Sequence, residues 1–283
     1  MEYSKGYNPF LIGEKMMNIV TRKGPRFKER LYLKASSINP INVETDVRVS
    51  NYYLGSIVAD TIGCNLRCIH CWAIDDVRNI TKKKAIGTFY SSEQVAKYLI
   101  KESKKNNIKN LRISQGEPTL DMIHLLEILD QLNLSKSVYT FILETNGLIF
   151  SKYPEYLKKI TEFSSLNKLK NPTIHVRISL KGATPEKFNY LTSAHAKYYE
   201  YQIDAIKKCL DFGVDYHPVI MVDFIETQDE MSYLKQRLTE IDKKILMKLE
   251  FETLFIDEHI YNRLKKHKVK MISKNILDLG ASD

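Results

Sequence analysis

The chain has 283 residues, 43% hydrophobic and 27% charged, with eleven Gly and eight Pro, which suits a globular protein with a sizeable core and excludes collagen-like, low-complexity and disordered classes. Lys and Arg number 43 against 34 Asp and Glu, a net charge of +9, compatible with a polyanion such as RNA and equally with a Lys-rich solvated surface. No apolar run approaches the ~18 residues of a membrane span, and the start MEYSKGYNPF lacks the apolar segment of a secretory signal, so a cytoplasmic protein with no membrane partner is expected.

Taken in chain order, residues 1–50 read as irregular or loosely helical, interrupted by Pro9, Pro25 and Pro40 and locally basic over Arg22–Arg30. An alternation then sets in. A β-rich run, Gly55–Asp60, leads into a cysteine-bearing loop. A helix opens at Ser91-Ser92-Glu93 and carries Val95, Tyr98 and Leu99 on one face. Strand Leu111–Ser114 precedes a helix with Met122, Leu125, Leu126, Leu129 and Leu132 at helical spacing. Strand Val138–Leu143 precedes a third, with Tyr153, Leu157 and Ile160. Strand Thr173–Leu180 leads to a helix marked by Tyr199, Ile203, Ile206 and Leu210, and strand Tyr216–Val222 to one marked by Met231, Leu234, Leu238 and Ile241. A last strand, about Leu246–Phe255, ends in a polar helix around His259–His267. Six short apolar strands alternating with helices, buried on both faces, predict a parallel α/β sheet. The expected organisation is an N-terminal extension over 1–50, a core over 51–257, and a C-terminal helix and tail over 258–283.

In such sheets chemistry gathers at the carboxyl ends of the strands. The unusual polar clusters fall there: the cysteine loop after strand one, Gly116-Glu117-Pro118 after strand two, Glu144-Thr145-Asn146-Gly147 at strand three and Lys181-Gly182 at strand four. Of four cysteines, Cys64, Cys68 and Cys71 lie within eight residues and Cys209 stands alone. In a reducing compartment that triplet argues for metal rather than disulfides. Its spacing lets three thiolates converge on one iron–sulfur cluster, and since four ligands are usual for a cube, one iron is left open. A zinc ion completed by His70, His217 or His259 is the alternative, as are three buried unliganded thiols. Cys209, three residues after Ile206, reads as a small core residue.

The C-x3-C-x2-C loop at the end of a first strand, followed by Gly-Glu-Pro, resembles the radical S-adenosylmethionine (radical SAM) superfamily. The resemblance runs over about Gly55–Phe255 and implies a partial (β/α)6, TIM-like barrel of parallel strands with a short N-terminal extension. It implies a [4Fe–4S] cluster on Cys64, Cys68 and Cys71 whose open iron chelates S-adenosylmethionine, an oxidoreductase chemistry of reductive C–S cleavage to a 5′-deoxyadenosyl radical, and a reductant such as flavodoxin or ferredoxin. Ser114-Gln115-Gly116-Glu117-Pro118 resembles the family's GGEP motif with Gln115 for the first Gly, which implies that Gly116 and Glu117 meet the cofactor's ammonium. Glu144-Thr145-Asn146-Gly147 and Ser179-Leu180-Lys181-Gly182 are similar to segments of the glycyl-radical activating enzymes. There Glu144 would help hold the amine and Lys181 would approach the cofactor carboxylate, with Ser179 standing where those enzymes carry Asp. His70 takes the place of an aromatic packed beside the adenine, and Trp72 that of a shield over the cluster. As bare sequence, Gly-Glu-Pro and Asn-Gly are also turn signals, and Lys181 is equally a solvated lysine.

The resemblance thus implies hydrogen abstraction from a substrate not named by the sequence, a protein glycine in the activase-like version. A second version takes RNA as substrate, motivated by the +9 charge, the Arg22–Arg30 segment and a Cys-x2-Cys-Trp form reminiscent of tRNA-modifying radical enzymes. A third, of another class, is a zinc-stabilised RNA-binding protein without catalysis.

Overall fold

In the computed structural model the described residues are 6–33, 47–78, 87–135, 137–163 and 172–269. The expected break at Pro40 and the tail over 270–283 lie outside them. The elements run α1 (Pro9–Val20), β1 (Thr21–Lys23), β2 (Lys28–Tyr32), β3 (Arg48–Ser50), β4 (Ser56–Thr61), α2 (Asp75–Arg78), β5 (Thr88–Ser91) and α3 (Ser92–Asn106). They continue with β6 (Asn110–Gln115), α4 (Met122–Asn133), β7 (Thr140–Thr145), α5 (Leu148–Lys152), α6 (Glu155–Thr161), β8 (Thr173–Leu180) and α7 (Pro185–Thr192). Last come α8 (Tyr199–Asp211), β9 (Tyr216–Met221), α9 (Gln228–Ile241), β10 (Glu250–Glu252) and α10 (Glu258–Lys266).

Local chemistry explains the boundaries. α3 starts where Ser91 and Gln94 form a reciprocal capping box. α7 starts where Thr184 accepts from the Lys187 N–H with Pro185 at the first helical position. Pro154 splits the expected third helix into α5 and α6.

Strands β4, β6, β7, β8, β9 and β10 pair in that order and all in parallel, as the sequence predicted. The ladder is open, since β10 pairs only with β9 among the described residues and the other flank carries β3 and β2 in antiparallel register on β4. The described residues among 1–50 hold more regular structure than expected: a helix and three strands lie there, and β1–β2 and β5 extend the sheet. The final strand is shorter than expected, because Lys243–Lys248 forms a 3₁₀ turn and only Glu250–Glu252 joins the ladder.

Period-two alternation gives the sheet two unlike faces. One carries Ile57, Ala59, Leu111, Ile113, Phe141, Leu143, Ile174, Val176 and Ile178, all in the main core beneath the helices. Cys209 belongs to that core, whereas Leu210, expected on the apolar face of α8, is exposed. The other face carries Arg112 and Ser114, Glu144, Arg177 and Ser179, and Glu250 and Glu252, and lines a cavity of about 520 Å³. The strands are therefore apolar on one face and charged on the other, which corrects the expectation of two apolar faces.

Candidate active site

The cavity opens at the carboxyl ends of the strands and takes Cys64, Cys68 and Cys71 together with His70, Trp72, Gly116, Glu117, Glu144, Ser179 and Lys181. The three cysteines and the residues that the resemblance assigns to the cofactor thus line one space. All four cysteines are free thiols. Leu66 N–H donates to Cys64 Sγ at 3.4 Å. Burial, then the Glu117 carboxylate and the neighbouring thiols, push the Cys64 thiol up to about 12, so a thiolate there requires a bound cation.

The loops are held by buried hydrogen bonds. Glu117 does not reach freely into the cavity: one oxygen accepts from Thr119 N–H at 3.2 Å and from the Thr119 and Thr145 hydroxyls at 2.7 Å each, and the other from Asn146 N–H at 2.8 Å. Asn146 is the hub. Its side chain donates to Asn65 Oδ1 at 2.8 Å and accepts from Leu148 N–H, and its carbonyl accepts from Gln202 at 2.7 Å. Gln202, fully buried, also donates to Ser179 O and accepts from Lys181 N–H, so α8 staples the ends of β7 and β8.

Gln115 has φ +73°, the left-handed region, which explains physically why glycine suits that position. A Cβ on Gly116 would lie 2.5 Å from Gly63 O and 2.9 Å from Thr61 O. Only glycine permits that approach, and Glu117 N–H bonds Gly63 O at 2.9 Å across it.

Beneath these loops the strands carry charge. Glu144 accepts from Arg112 at 2.7 Å, Tyr53 OH at 2.7 Å and Arg177 at 3.5 Å. Burial alone would raise its pKa, but Arg112, Tyr53 and Arg177 outweigh that and hold it below the usual carboxylate value. Arg177 also pairs with Glu250 at 2.9 Å and with Glu252. Glu250 accepts from His217 at 2.7 Å, and His217 stacks on His175, which pairs with Asp215. Lys181 differs. Its ammonium donates to Ser179 Oγ at 2.6 Å and has no carboxylate partner among the described residues.

His70 is buried and packs its ring 4.9 Å from Phe224, while Trp72 stays 45% exposed at the rim with the Arg48 guanidinium 5.7 Å from its ring. Of the histidines considered for zinc, His217 is spent on His175 and Glu250 and His259 on Trp72 O and Asp257, while His70 lines the cavity with the cysteines. Among the described residues no three His, Cys, Asp or Glu side chains are gathered as a single ion requires. The three thiols instead face one cavity, which suits a cluster that spreads its ligands over several metal atoms.

Comparison with known proteins settles the family. Residues 58–238 match the model described as "Radical SAM superfamily". The chain belongs to the radical SAM superfamily. Membership implies a [4Fe–4S] cluster and S-adenosylmethionine, and the three free cysteines at one cavity, with a lone ammonium opposite, fit that pair. No curated protein matches the chain. Similar solved structures include anSMEcpe with bound AdoMet, at 17% identity over 68% of this chain and 47% of that one with a TM-score of 0.48. The cobalamin-dependent S-adenosylmethionine radical enzyme OxsB matches at 14% over 77% and 36%, TM-score 0.45. SuiB from Streptococcus suis matches at 14% over 72% and 50%, TM-score 0.45. The chain spans half or less of the length of these proteins.

Arg112, Tyr53, Gln202 and Asn65 were not singled out in the sequence. Arg112 and Ser114 on one strand repeat the polar alternation of Arg177 and Ser179, and that shared pattern was the available signal.

Proposed function

We propose that this radical SAM protein is an enzyme that reductively cleaves S-adenosylmethionine and uses the product radical to abstract hydrogen from a substrate, in the manner of the activases. The observation that carries the reading is the cavity at the strand ends, which joins three cysteines to an ammonium without an acidic partner. When bound, the cluster supplies the electron that breaks the sulfonium C–S bond. Cys64, Cys68 and Cys71 would hold it. Lys181, steadied by Ser179, would attract the cofactor carboxylate as a point charge. Gly116 would give the cofactor amine close access to backbone, with Glu117 fixing that turn and Glu144 adding negative charge below it. His70 and Met221 line the wall where the adenine would pack.

The open ladder leaves a lateral way in for a large substrate, such as a protein segment, and an external protein reductant completes the reaction in the cytoplasm. In the Arg22–Arg30 segment that motivates the RNA version, Arg22 pairs with Glu29, Lys28 with Asp121, and Arg30 is buried, while Lys23 and Arg26 stay exposed.

Anaerobic reconstitution followed by reductant and S-adenosylmethionine tests this. The wild type should take up iron and sulfide and release 5′-deoxyadenosine. Cys68→Ala should lose both together. Lys181→Ala should keep its iron yet bind the cofactor roughly tenfold more weakly, the scale of one lost charge-assisted contact. A colourless protein holding one zinc, or undiminished affinity in Lys181→Ala, would count against the assignment.

A further inference from the structure

Three consecutive carbonyls of the cysteine loop are taken by one helix outside the family match. From α10, Arg263 donates to Cys71 O and, at 3.0 Å, to Ala73 O, while His259 donates to Trp72 O at 2.6 Å. Arg263 is 7% exposed. Asp75, at 3.2 Å and 65% exposed, is one carboxylate partner, and solvent screens that pair. Burying a guanidinium costs several kcal/mol unless its hydrogen bonds return that free energy. α10 does not need it for docking, because Ile260 and Leu264 already seat the helix on Ile69, Leu191, Phe224 and Leu254. The arginine is spent on the loop.

We propose that Arg263 is a positioning residue for the cluster: it fixes the Cys71–Ala73 backbone and, as a buried cation bonded to the carbonyl of the Cys71 ligand, raises the reduction potential of the site. The inference rests on the cluster assignment above. Three thiolates give the loaded site a net negative charge that grows by one on reduction, so a fixed positive charge favours the reduced state more than the oxidised. The trans peptides add a second effect. With their carbonyls drawn to α10, the N–H groups of the same units point the other way, and that of Ala73, a fully buried residue, has no acceptor among the described residues. It is a donor two residues beyond the Cys71 ligand, and hydrogen bonds to cluster sulfur raise the potential further.

The test is a spectroelectrochemical titration of the reconstituted full chain in three forms, wild type, Arg263→Gln and Arg263→Lys, with iron assayed first. Arg263→Gln should keep its iron but reduce with an equilibrium constant about tenfold less favourable, a shift of roughly −59 mV for one electron. Arg263→Lys, which keeps the charge and loses the fork, should shift in the same direction by less. Iron-loaded Arg263→Gln at the wild-type potential overturns the proposal. If that variant does not fold, Arg263→Lys decides by the same criterion. A wild type that takes up no iron and sulfide sinks the cluster assignment and this inference with it, and the iron assay tells that failure from the other.

Discussion

The rim and the floor of the cavity are built by opposite means. At the rim, around Asn146, Glu117 and Gln202, the groups are mostly neutral, buried and bonded to one another through backbone. On the floor, Arg112, Glu144, Arg177 and Glu250 hold one another by charge. The rim leaves three thiols and the Lys181 ammonium facing the cavity, whereas the floor consumes its own charges. A site that must bind a charged cofactor keeps its unspent charge where the ligand arrives and neutralises what lies beneath.

Four substitutions break or sharpen that contrast. Asn146→Ala at the rim removes two side-chain hydrogen bonds and leaves Asn65 Oδ1 only the weak 3.9 Å contact from the Cys64 thiol, and should cost about 3 kcal/mol in denaturant unfolding. Glu144→Gln on the floor leaves Arg112 and Arg177 facing each other and should cost roughly 2 kcal/mol, reduced from a fully buried case because Glu144 is 23% exposed. Its pKa is depressed in the folded state, so its contribution is complete above the unfolded value of 4.5 and is lost as pH falls below that. The variant should therefore lose less stability than wild type on acidification below pH 4.5.

His124, behind the rim, titrates in a separate window. Burial, then the Arg30 guanidinium, lower it from 6.5 to about 4. Between those values the unfolded chain takes up a proton that the folded chain refuses, so stability should fall by up to about 1.4 kcal/mol per unit on acidification from pH 6.5 to 4. His124→Gln should flatten that slope in urea midpoints taken at pH 7, 6 and 5. The smallest effect belongs to Gln115→Gly: relief of a positive φ against added chain entropy should stabilise by no more than about 1 kcal/mol.

The sequence made the ladder and the cysteine triplet legible for the same reason, that both are local patterns. β8 lies at the predicted Thr173–Leu180 because its apolar and polar positions alternate over eight residues. β1 and β3 escaped notice because three residues are too few to display a period. The start of α7 is written in Thr184-Pro185-Glu186, a cap residue followed by a proline at the first helical position. The arginine clamps were illegible for another reason. Arg30 donates to Glu117 O and Pro118 O and Arg263 to Cys71 O, contacts spanning 87, 88 and 192 residues. In one sequence a buried arginine meeting a distant carbonyl looks the same as a solvated one.

The bare approach of Gly116 to Gly63 has a thermodynamic consequence. With no side chain between them, and with Glu117 N–H bonded to Gly63 O, the two loops share one backbone seam and cannot adjust separately. A ligand that reshapes either loop alters its neighbour's fit for the other ligand. Occupancy of the two halves of the cavity is therefore expected to be coupled, so that affinities measured for each partner alone should not sum to that of the filled site.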